Sequence, residues 1–185
     1  MNKGLYVILA ILLLVLIYFN LGKLPFNAPE LADCLVTAEE RIVRGTSFSP
    51  FIEPGQTIKV LFNYYDCHKI ERGDVVLFNY AGNKNPLIKI VKGIPGDKFE
   101  LRKSGAGWHI LINNQVVKNS KDEPYFISGN RYKMLSLYEK DYKGVIPENA
   151  YLLLSERVAG SVDSTTFGLV DKGGIIAKVD IGINK

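Results

Sequence analysis

Residues 87–97 read Leu-Ile-Lys-Ile-Val-Lys-Gly-Ile-Pro-Gly-Asp, an apolar run that ends in a turn signal. The run predicts a buried strand, and Pro-Gly-Asp is typical of the turn that ends one. Similar runs bounded by turn residues recur along the chain, at residues 58–62, 74–80, 99–101, 108–112, 151–155 and 174–179. Many short strands of this kind predict a mostly β fold, built of antiparallel sheets or an open barrel, over residues 41–185.

Residues 103–148 interrupt this pattern, because they are more polar and rich in tyrosine. We interpret them as a hairpin and loop insertion on the main sheet. The chain has no internal repeat that would indicate a solenoid.

The N-terminal residues form a separate segment. Residues 4–21 are apolar except for Asn20, and 18 helical residues span about 27 Å, close to the hydrocarbon thickness of a bilayer. A cleaved signal peptide is the alternative, but residues 22–25 (Gly-Lys-Leu-Pro) offer no small-x-small cleavage site. We predict a single transmembrane helix in residues 1–22. Residues 23–40 follow as a connector, with a short helix between residues 32 and 40.

Composition and charge indicate which kinds of molecule the protein binds. The formal net charge is +4, with lysines and arginines scattered among acidic residues, which predicts no nucleic-acid binding and modest contact with a lipid bilayer. Cys34 and Cys67 are too few for a disulfide scaffold, and whether they pair stays open. The histidines, His68 and His109, have no ligand partner at a useful spacing, so we predict no metal and no cofactor.

Lys89 is the unusual residue in the first stretch. If its strand is buried, desolvation lowers the pKa of the amine, and a neutral amine can act as a base near neutral pH. The alternative is an edge strand with Lys89 facing water, which is a common way to protect a sheet edge. Periodicity alone favours the edge strand, so Lys89 needs a partner to be read as functional.

A serine-containing loop offers that partner. Residues 44–55 place hydroxyl groups among glycines and prolines, which predicts a turn-rich loop before the strand at residue 58. Such loops are usually structural. A serine hydroxyl becomes a nucleophile when a neighbouring base takes its proton, and with two histidines in the chain a Ser–Lys pair is easier to assemble than a Ser-His-Asp triad.

Five segments, taken together and in order, resemble the conserved boxes of type I signal peptidases. Ser47-Phe48-Ser49-Pro50 is similar to the Ser-Met-x-Pro box around the family's nucleophile, and residues 88–97 resemble the box of the catalytic lysine. The others are residues 72–78 (Arg-Gly-Asp-Val-Val-Leu-Phe), 108–117 and 161–168. The resemblance covers most of residues 42–170, and the predicted N-terminal anchor also fits this family.

The resemblance implies roles for individual residues. Ser47 would attack the scissile carbonyl and Lys89 would be the general base. Ser161 would orient the lysine amine and Asp163 would brace the site. The oxyanion would be held by the Ser47 N–H and by a second donor, either a backbone N–H of Gly45 or Thr46 or the Thr46 hydroxyl.

The resemblance also implies a substrate and a place. An extended signal peptide of a pre-protein, with small side chains in an Ala-x-Ala pattern, would bind beside Pro86, Leu87 and Ile88 and the 44–46 loop. Phe48 would contribute to substrate binding, but the prediction that we favour for its side chain is packing in the core. The enzyme would be a serine endopeptidase of the cell membrane, with its catalytic domain on the extracytoplasmic side. Its oligomeric state is not predicted.

Departures from the family pattern mark a divergent member. Phe48 replaces the usual methionine, Ile90 replaces an arginine beside the lysine, and Glu156 stands where the family has aspartate. Thr165 replaces the arginine that would pair with Asp163, so that Asp163 is expected to lack its ion-pair partner.

Three rival functions stay open, and the altered last box supports the second of them. One is a related protease that matures proteins for conjugative transfer. Another is a non-catalytic, membrane-anchored domain that binds peptides. The third is an autoproteolytic repressor-like Ser–Lys protein, which the apolar N-terminus and the lack of a DNA-binding helix pair disfavour.

Overall fold

The computed structural model describes residues 34–80 and 85–182. The predicted membrane helix and residues 23–33 of the connector lie outside the described residues. Residues from Cys34 onward form one compact unit. In the part of the chain that the structure describes, every helix is too short or too polar to cross a bilayer.

Antiparallel strands dominate the fold, as predicted. The strands are β1 (Thr37–Ile42), β2 (Thr57–Phe62), β3 (Val75–Phe78), β4 (Leu87–Gly93), β5 (Phe99–Ser104), β6 (Gly107–Ile112), β7 (Gln115–Val116), β8 (Phe126–Ile127), β9 (Ala150–Leu154), β10 (Val170–Asp171) and β11 (Ile175–Asp180). The helices are α1 (Tyr64–Cys67), α2 (Gly129–Asp141) and α3 (Ser164–Phe167). All seven strands predicted from apolar runs are confirmed, as β2, β3, β4, β5, β6, β9 and β11.

The strands form two sheets. Seven strands follow the order β1-β2-β11-β3-β4-β9-β10, and four more form a smaller sheet in which β6 pairs with β5, β7 and β8. Among the described residues, β1 and β10 are the two ends of the large sheet, so this sheet is open rather than a closed barrel.

Each face of the large sheet packs its own group of apolar side chains. One group joins β2, β3, β4 and β11 to the loop after β1, through Phe48, Val60, Leu77 and Ile90. Because side chains alternate along a strand, Val76 and Val91 belong to the other group, together with Leu153 of β9. This alternation puts Lys89 on the side of β4 that also carries Val91.

Two of the motif segments bond to one another. Arg72 donates two hydrogen bonds to the carboxylate of Asp97, at 2.6 and 2.7 Å, and a third to the carbonyl oxygen of Lys92. Asp97 also accepts from the backbone N–H of Ile94 and is 6% exposed. Asp97 therefore fixes the turn that ends β4, in agreement with the turn predicted from Pro-Gly-Asp.

Cys34 and Cys67, whose pairing the sequence leaves open, form a disulfide that joins the segment before β1 to the end of α1. His68 lies beside the two sulfur atoms, and these three form the one group of potential metal ligands found within residues 34–80 and 85–182. Because both sulfurs are bonded to each other, neither offers the thiolate that a metal would need.

Two local predictions are wrong. Residues 37–40, predicted as helix, form part of β1, which pairs with β2 along its whole length from Thr37–Phe62 to Ile42–Thr57. Residues 129–141, predicted as part of a hairpin and loop insertion, form the helix α2. In both places tertiary contacts override local sequence signals.

Candidate active site

Lys89 lies in the interior of the large sheet. It sits on β4, between β3 and β9, opposite Val76 of β3, and it is 1% exposed. The alternative of a solvent-facing lysine on an edge strand is therefore wrong. The prediction of a buried strand is confirmed, and the amine belongs to the protein interior.

Burial controls the charge of this amine. Desolvation lowers the pKa of Lys89 to about 8, while the negative charge of Asp163 acts in the opposite direction. A pKa of about 8 leaves roughly one tenth of the amine neutral at pH 7, whereas an ordinary lysine is almost fully charged. The Nζ atom donates a hydrogen bond to the carbonyl oxygen of Ile88 at 2.7 Å.

Ser47 lies in the loop between β1 and β2, which is tightly turned as predicted. The backbone N–H of Ser49 donates to the carbonyl oxygen of Thr46, and the N–H of Ile52 donates to that of Phe48. The Ser49 hydroxyl donates to Glu53 at 2.6 Å. These bonds hold the loop in one shape, and Ser47 is half-buried within it.

The aromatic residues of this loop point in different directions. Phe48 is 1% exposed and packs in the core with Ile58 and Ile90, so its reading as a core residue is confirmed. Ile52 is also buried, while Phe51 is 38% exposed. Phe48 and Ile52 therefore pack in the core, whereas Phe51 reaches the surface.

A groove of about 800 Å³ runs beside Ser47. Most of the predicted substrate-binding residues line this groove. Arg44, Gly45, Ser47 and Phe48 come from the loop before β2, and Asn85, Pro86, Leu87 and Ile88 come from the start of β4. Apolar side chains, among them Leu77 and Ile176, line it as well. Most of its lining surface is apolar, which suits an extended peptide with small apolar side chains.

The start of β4 is an unpaired strand edge on the side away from β3. Residues 87–90 pair with β3, but the pairing with β9 begins at Ile90, opposite Leu154. Among the described strands, none covers Leu87 and Ile88 on the β9 side. The carbonyl oxygen of Ile88 accepts from Lys89 Nζ, but the uncovered edge leaves room for an added strand to pair, which is the geometry of β-augmentation.

Ser161 and Asp163 lie in the segment that leads into α3, and both are buried. Asp163 caps the helix: its Oδ1 accepts from the backbone N–H and the hydroxyl of Thr165, at 3.0 and 2.6 Å. Its Oδ2 accepts from the N–H of Ser155 at the end of β9. The carboxylate thus ties α3 to β9, and its charge acts on Lys89, while its role in the site stays a prediction.

The expectation that Asp163 lacks a cationic partner is wrong. Arg131 of α2 places its Nη1 3.8 Å from Asp163 Oδ1 and donates a hydrogen bond to Thr165 Oγ1. Its Nη2 donates to the carbonyl oxygen of Ser161 at 2.7 Å. The motif pattern misses Arg131 because this residue belongs to another part of the chain, and no local signal marks it.

The loop after β9 meets the nucleophile loop. The N–H of Arg157 donates to the carbonyl oxygen of Ser47, and its Nη1 donates to Thr46 Oγ1 at 3.2 Å. The same loop carries Asp163, whose charge acts on Lys89.

Among the described residues, Nζ of Lys89 donates to Ile88 and makes no hydrogen bond to Ser47. Strand alternation puts Lys89 on the Val91 side of β4, whereas the loop of Ser47 packs through Phe48 against Ile90 on the other side. Direct contact between Ser47 Oγ and Lys89 Nζ therefore stays a prediction.

Glu156 is buried but serves a different loop. Its carboxylate accepts from the backbone N–H of Ser120 at 2.8 Å and from the Ser120 hydroxyl, and its carbonyl oxygen accepts from Asn119. Glu156 therefore has a structural part: it holds the segment between β7 and β8 against the end of β9.

The chain resembles known signal peptidases. The model of the family described as signal peptidase, peptidase S26, matches residues 5–183. Signal peptidase IB of Staphylococcus aureus is 31% identical over 151 residues, which cover 74% of this chain and 73% of that protein. Signal peptidase I of Bacillus caldolyticus is 30% identical over 146 residues, or 75% of each protein. Among solved structures, a signal peptidase I from Enterococcus faecalis V583 gives a TM-score of 0.43 at 21% identity, over 60% of this chain and 97% of that one.

Proposed function

The chain belongs to the signal peptidase family, peptidase S26, and on that premise we propose that it is a serine endopeptidase that removes signal peptides from exported pre-proteins. Ser47 is the nucleophile and Lys89 the general base. The observation that carries this proposal is the burial of Lys89, which is 1% exposed and has its pKa lowered to about 8.

The substrate binds as an added strand. Its backbone bonds to the free side of Leu87 and Ile88, while the loop that carries Gly45 and Ser47 forms the opposite wall of the groove. The buried ring of Phe48 limits the depth of the groove, so small side chains beside the scissile bond fit best. This arrangement holds the scissile carbonyl close to the Ser47 hydroxyl.

The reaction proceeds through an acyl-enzyme. Ser47 Oγ attacks the carbonyl carbon as its proton passes to the neutral amine of Lys89. The oxyanion is held by the Ser47 N–H and by a backbone N–H of Gly45 or Thr46. The leaving amine takes the proton back from Lys89, and a water activated by the same amine then hydrolyses the ester.

Ser161 and Asp163 complete the site around the base. Both are buried, and the charge of Asp163 acts on Lys89; in the proposal the Ser161 hydroxyl fixes the direction of the amine while Asp163 holds the segment in place. Ser47 supplies the nucleophile and Lys89 the acid–base chemistry, so the proposed reaction uses no cofactor.

The proposed site of action is the membrane surface. The apolar run at residues 4–21 anchors the chain in the cell membrane, and the catalytic domain faces the extracytoplasmic side, where exported pre-proteins emerge. Protease protection in intact cells tests this placement: an accessible catalytic domain agrees with it, and a protected domain contradicts it.

Cleavage of a purified pre-protein by the full chain in detergent micelles tests the enzymatic proposal. Ser47→Ala and Lys89→Met should each lower the rate by at least about 1,000-fold. Lys92→Met is a matched control, because Lys92 lies on the same strand and its Nζ donates to the carbonyl oxygen of Lys118. Equal rates in the wild type and in Lys89→Met would refute the Ser–Lys assignment, and a wild type without activity would support a peptide-binding domain instead.

A further inference from the structure

Arg131 is the residue that the family pattern does not anticipate. Its guanidinium is the shared partner of three residues in one segment: the carbonyl oxygen of Ser161, the carboxylate of Asp163 and the hydroxyl of Thr165. The Arg131 side chain is 34% exposed, whereas that of Asp163 is 3% exposed. Because the carboxylate of Asp163 is almost fully buried, water screens its charge poorly and the ion pair with Arg131 is strong enough to affect neighbouring groups.

The carboxylate of Asp163 needs such a partner. A buried negative charge is costly unless hydrogen bonds and a cation compensate for it. Three hydrogen bonds from Thr165 and Ser155 satisfy its oxygen atoms, and Arg131 supplies the positive charge. Thr165, which replaces the family's arginine, links Arg131 and Asp163 by accepting from one and donating to the other.

The charged groups around Lys89 are few. Asp163 is the one whose charge acts on the Lys89 amine. Val76 faces Lys89 from β3, and the pairing with β9 begins one residue later, at Ile90 and Leu154. The nearby charges of Glu156 and Lys92 are directed to Ser120 and to Lys118.

We propose that Arg131 is a positioning residue that holds the Ser161–Asp163 segment against Lys89 and balances the charge of Asp163 beside the amine. This inference rests on the proposed Ser–Lys activity. Arg131 takes over, from helix α2, the part that the family assigns to an arginine at position 165. It does not line the substrate groove, so it acts through Ser161 and Asp163 rather than on the substrate.

Two effects are expected when Arg131 loses its charge. The segment loses an anchor at Ser161, which misdirects the amine and lowers kcat. The charge of Asp163 is no longer balanced and stabilises the ammonium form, so the pKa of Lys89 rises. KM for the pre-protein should stay the same, because the groove is untouched.

The experiment measures pre-protein cleavage by the full chain in micelles as a function of pH, for Arg131→Met and for Arg131→Met combined with Thr165→Arg. Arg131→Met should lower kcat by about 10- to 100-fold and move the ascending limb of the pH profile up by about one unit. The added arginine returns a cation to Asp163 from its own turn and should restore both quantities in part. Lys133→Met, an exposed change on the same helix, serves as the control and should alter neither.

A second measurement does not depend on activity. In a Ser47→Ala background, nuclear magnetic resonance of the ¹⁵N-labelled lysine side chains follows the titration of Lys89, and Arg131→Met should raise its pKa. An unchanged pKa and an unchanged rate would overturn the inference, and so would a lower rate without a pKa shift that Thr165→Arg fails to rescue. If the wild type does not cleave pre-protein, the proposed function fails, while the titration still decides the role of Arg131.

Discussion

The backbone N–H of Arg157 donates a hydrogen bond to the carbonyl oxygen of Ser47 at 3.1 Å. This bond joins the loop after β9 to the nucleophile loop, although the two are far apart in sequence. The guanidinium of Arg157 adds a second contact, to the hydroxyl of Thr46. The loop after β9 therefore fixes the position of Ser47. The same loop carries Asp163, so it contacts both the nucleophile and the residues proposed to surround the base.

The lining of the groove favours one of the candidate oxyanion donors. The Thr46 hydroxyl accepts from Arg157 and keeps its own proton to donate, but the groove is lined by Gly45 and Ser47 rather than by Thr46. We therefore expect a backbone N–H to be the second donor. Thr46→Val and Thr46→Ser should both keep kcat for pre-protein cleavage within about 3-fold of wild type. A loss of about 100- to 1,000-fold in the valine variant alone would instead assign the role to the hydroxyl.

Lys89→Met should make the folded protein more stable while abolishing cleavage. The folded pKa of about 8 lies below the ordinary value of 10.5, so the unfolded state binds more protons and the wild type gains stability as pH rises from about 8 to about 10.5. Below pH 8 the buried amine costs on the order of 3 kcal/mol, which methionine removes. Thermal unfolding at pH 7 and pH 10.5 measures this difference, which should be largest at pH 7.

Lys133→Met is the control for that comparison, because Lys133 is exposed on α2 and its removal should leave the melting temperature unchanged. A Lys89→Met protein that is less stable than wild type at pH 7 would contradict the account of a desolvated amine.

Ser155→Ala should stabilise the fold. The Ser155 hydroxyl is fully buried and has no hydrogen-bond partner among the described residues, so its removal relieves a desolvation cost of about 1 kcal/mol. Ser164 is the matched case, because it is equally buried but accepts from the N–H of Leu153. Ser164→Ala should lower the free energy of unfolding by about 1–2 kcal/mol in denaturant titrations, the opposite sign from Ser155→Ala.

Ile88→Ala should relax the preference for small side chains beside the scissile bond. Ile88 lines the groove next to Ser47, and a shorter side chain there makes room for valine or leucine in the substrate. The ratio of kcat/KM for alanine over valine substrates should fall by about 10-fold. Ile94→Ala, a change beyond the end of β4 and away from the groove, should preserve the ratio. An equal ratio in wild type and Ile88→Ala would place the specificity pocket elsewhere.

The sequence predicts the strands better than the helices. The apolar runs of β3 and β4 predict these strands correctly because both strands lie inside the sheet and bury residues on both faces. β1 is missed because all six of its residues are exposed and Ala38, Glu39 and Glu40 favour a helix locally. Its conformation comes from pairing with β2.

α2 is missed for a related reason. Its buried residues are Leu135 and Ser136, so the helix presents little of the apolar periodicity that predicts an amphipathic helix. The candidate site also contains residues that the sequence predicts and one that it does not. Ser47, Lys89, Ser161 and Asp163 lie in motifs that sequence can recognise, whereas Arg131 reaches Asp163 through tertiary packing and has no signature of its own.

Covalent trapping tests the central claim most directly. A peptidyl phosphonate ending in alanine reacts with a serine nucleophile: an Oγ–P bond forms, phenoxide leaves and the base takes the hydroxyl proton. Peptide mass spectrometry of the full chain should locate the adduct on Ser47, with a rate that rises through about pH 8 and that falls by at least about 1,000-fold in Lys89→Met. An adduct on another residue, or an equal rate of Ser47 labelling with and without Lys89, would contradict the assignment of Lys89 as the base that activates Ser47.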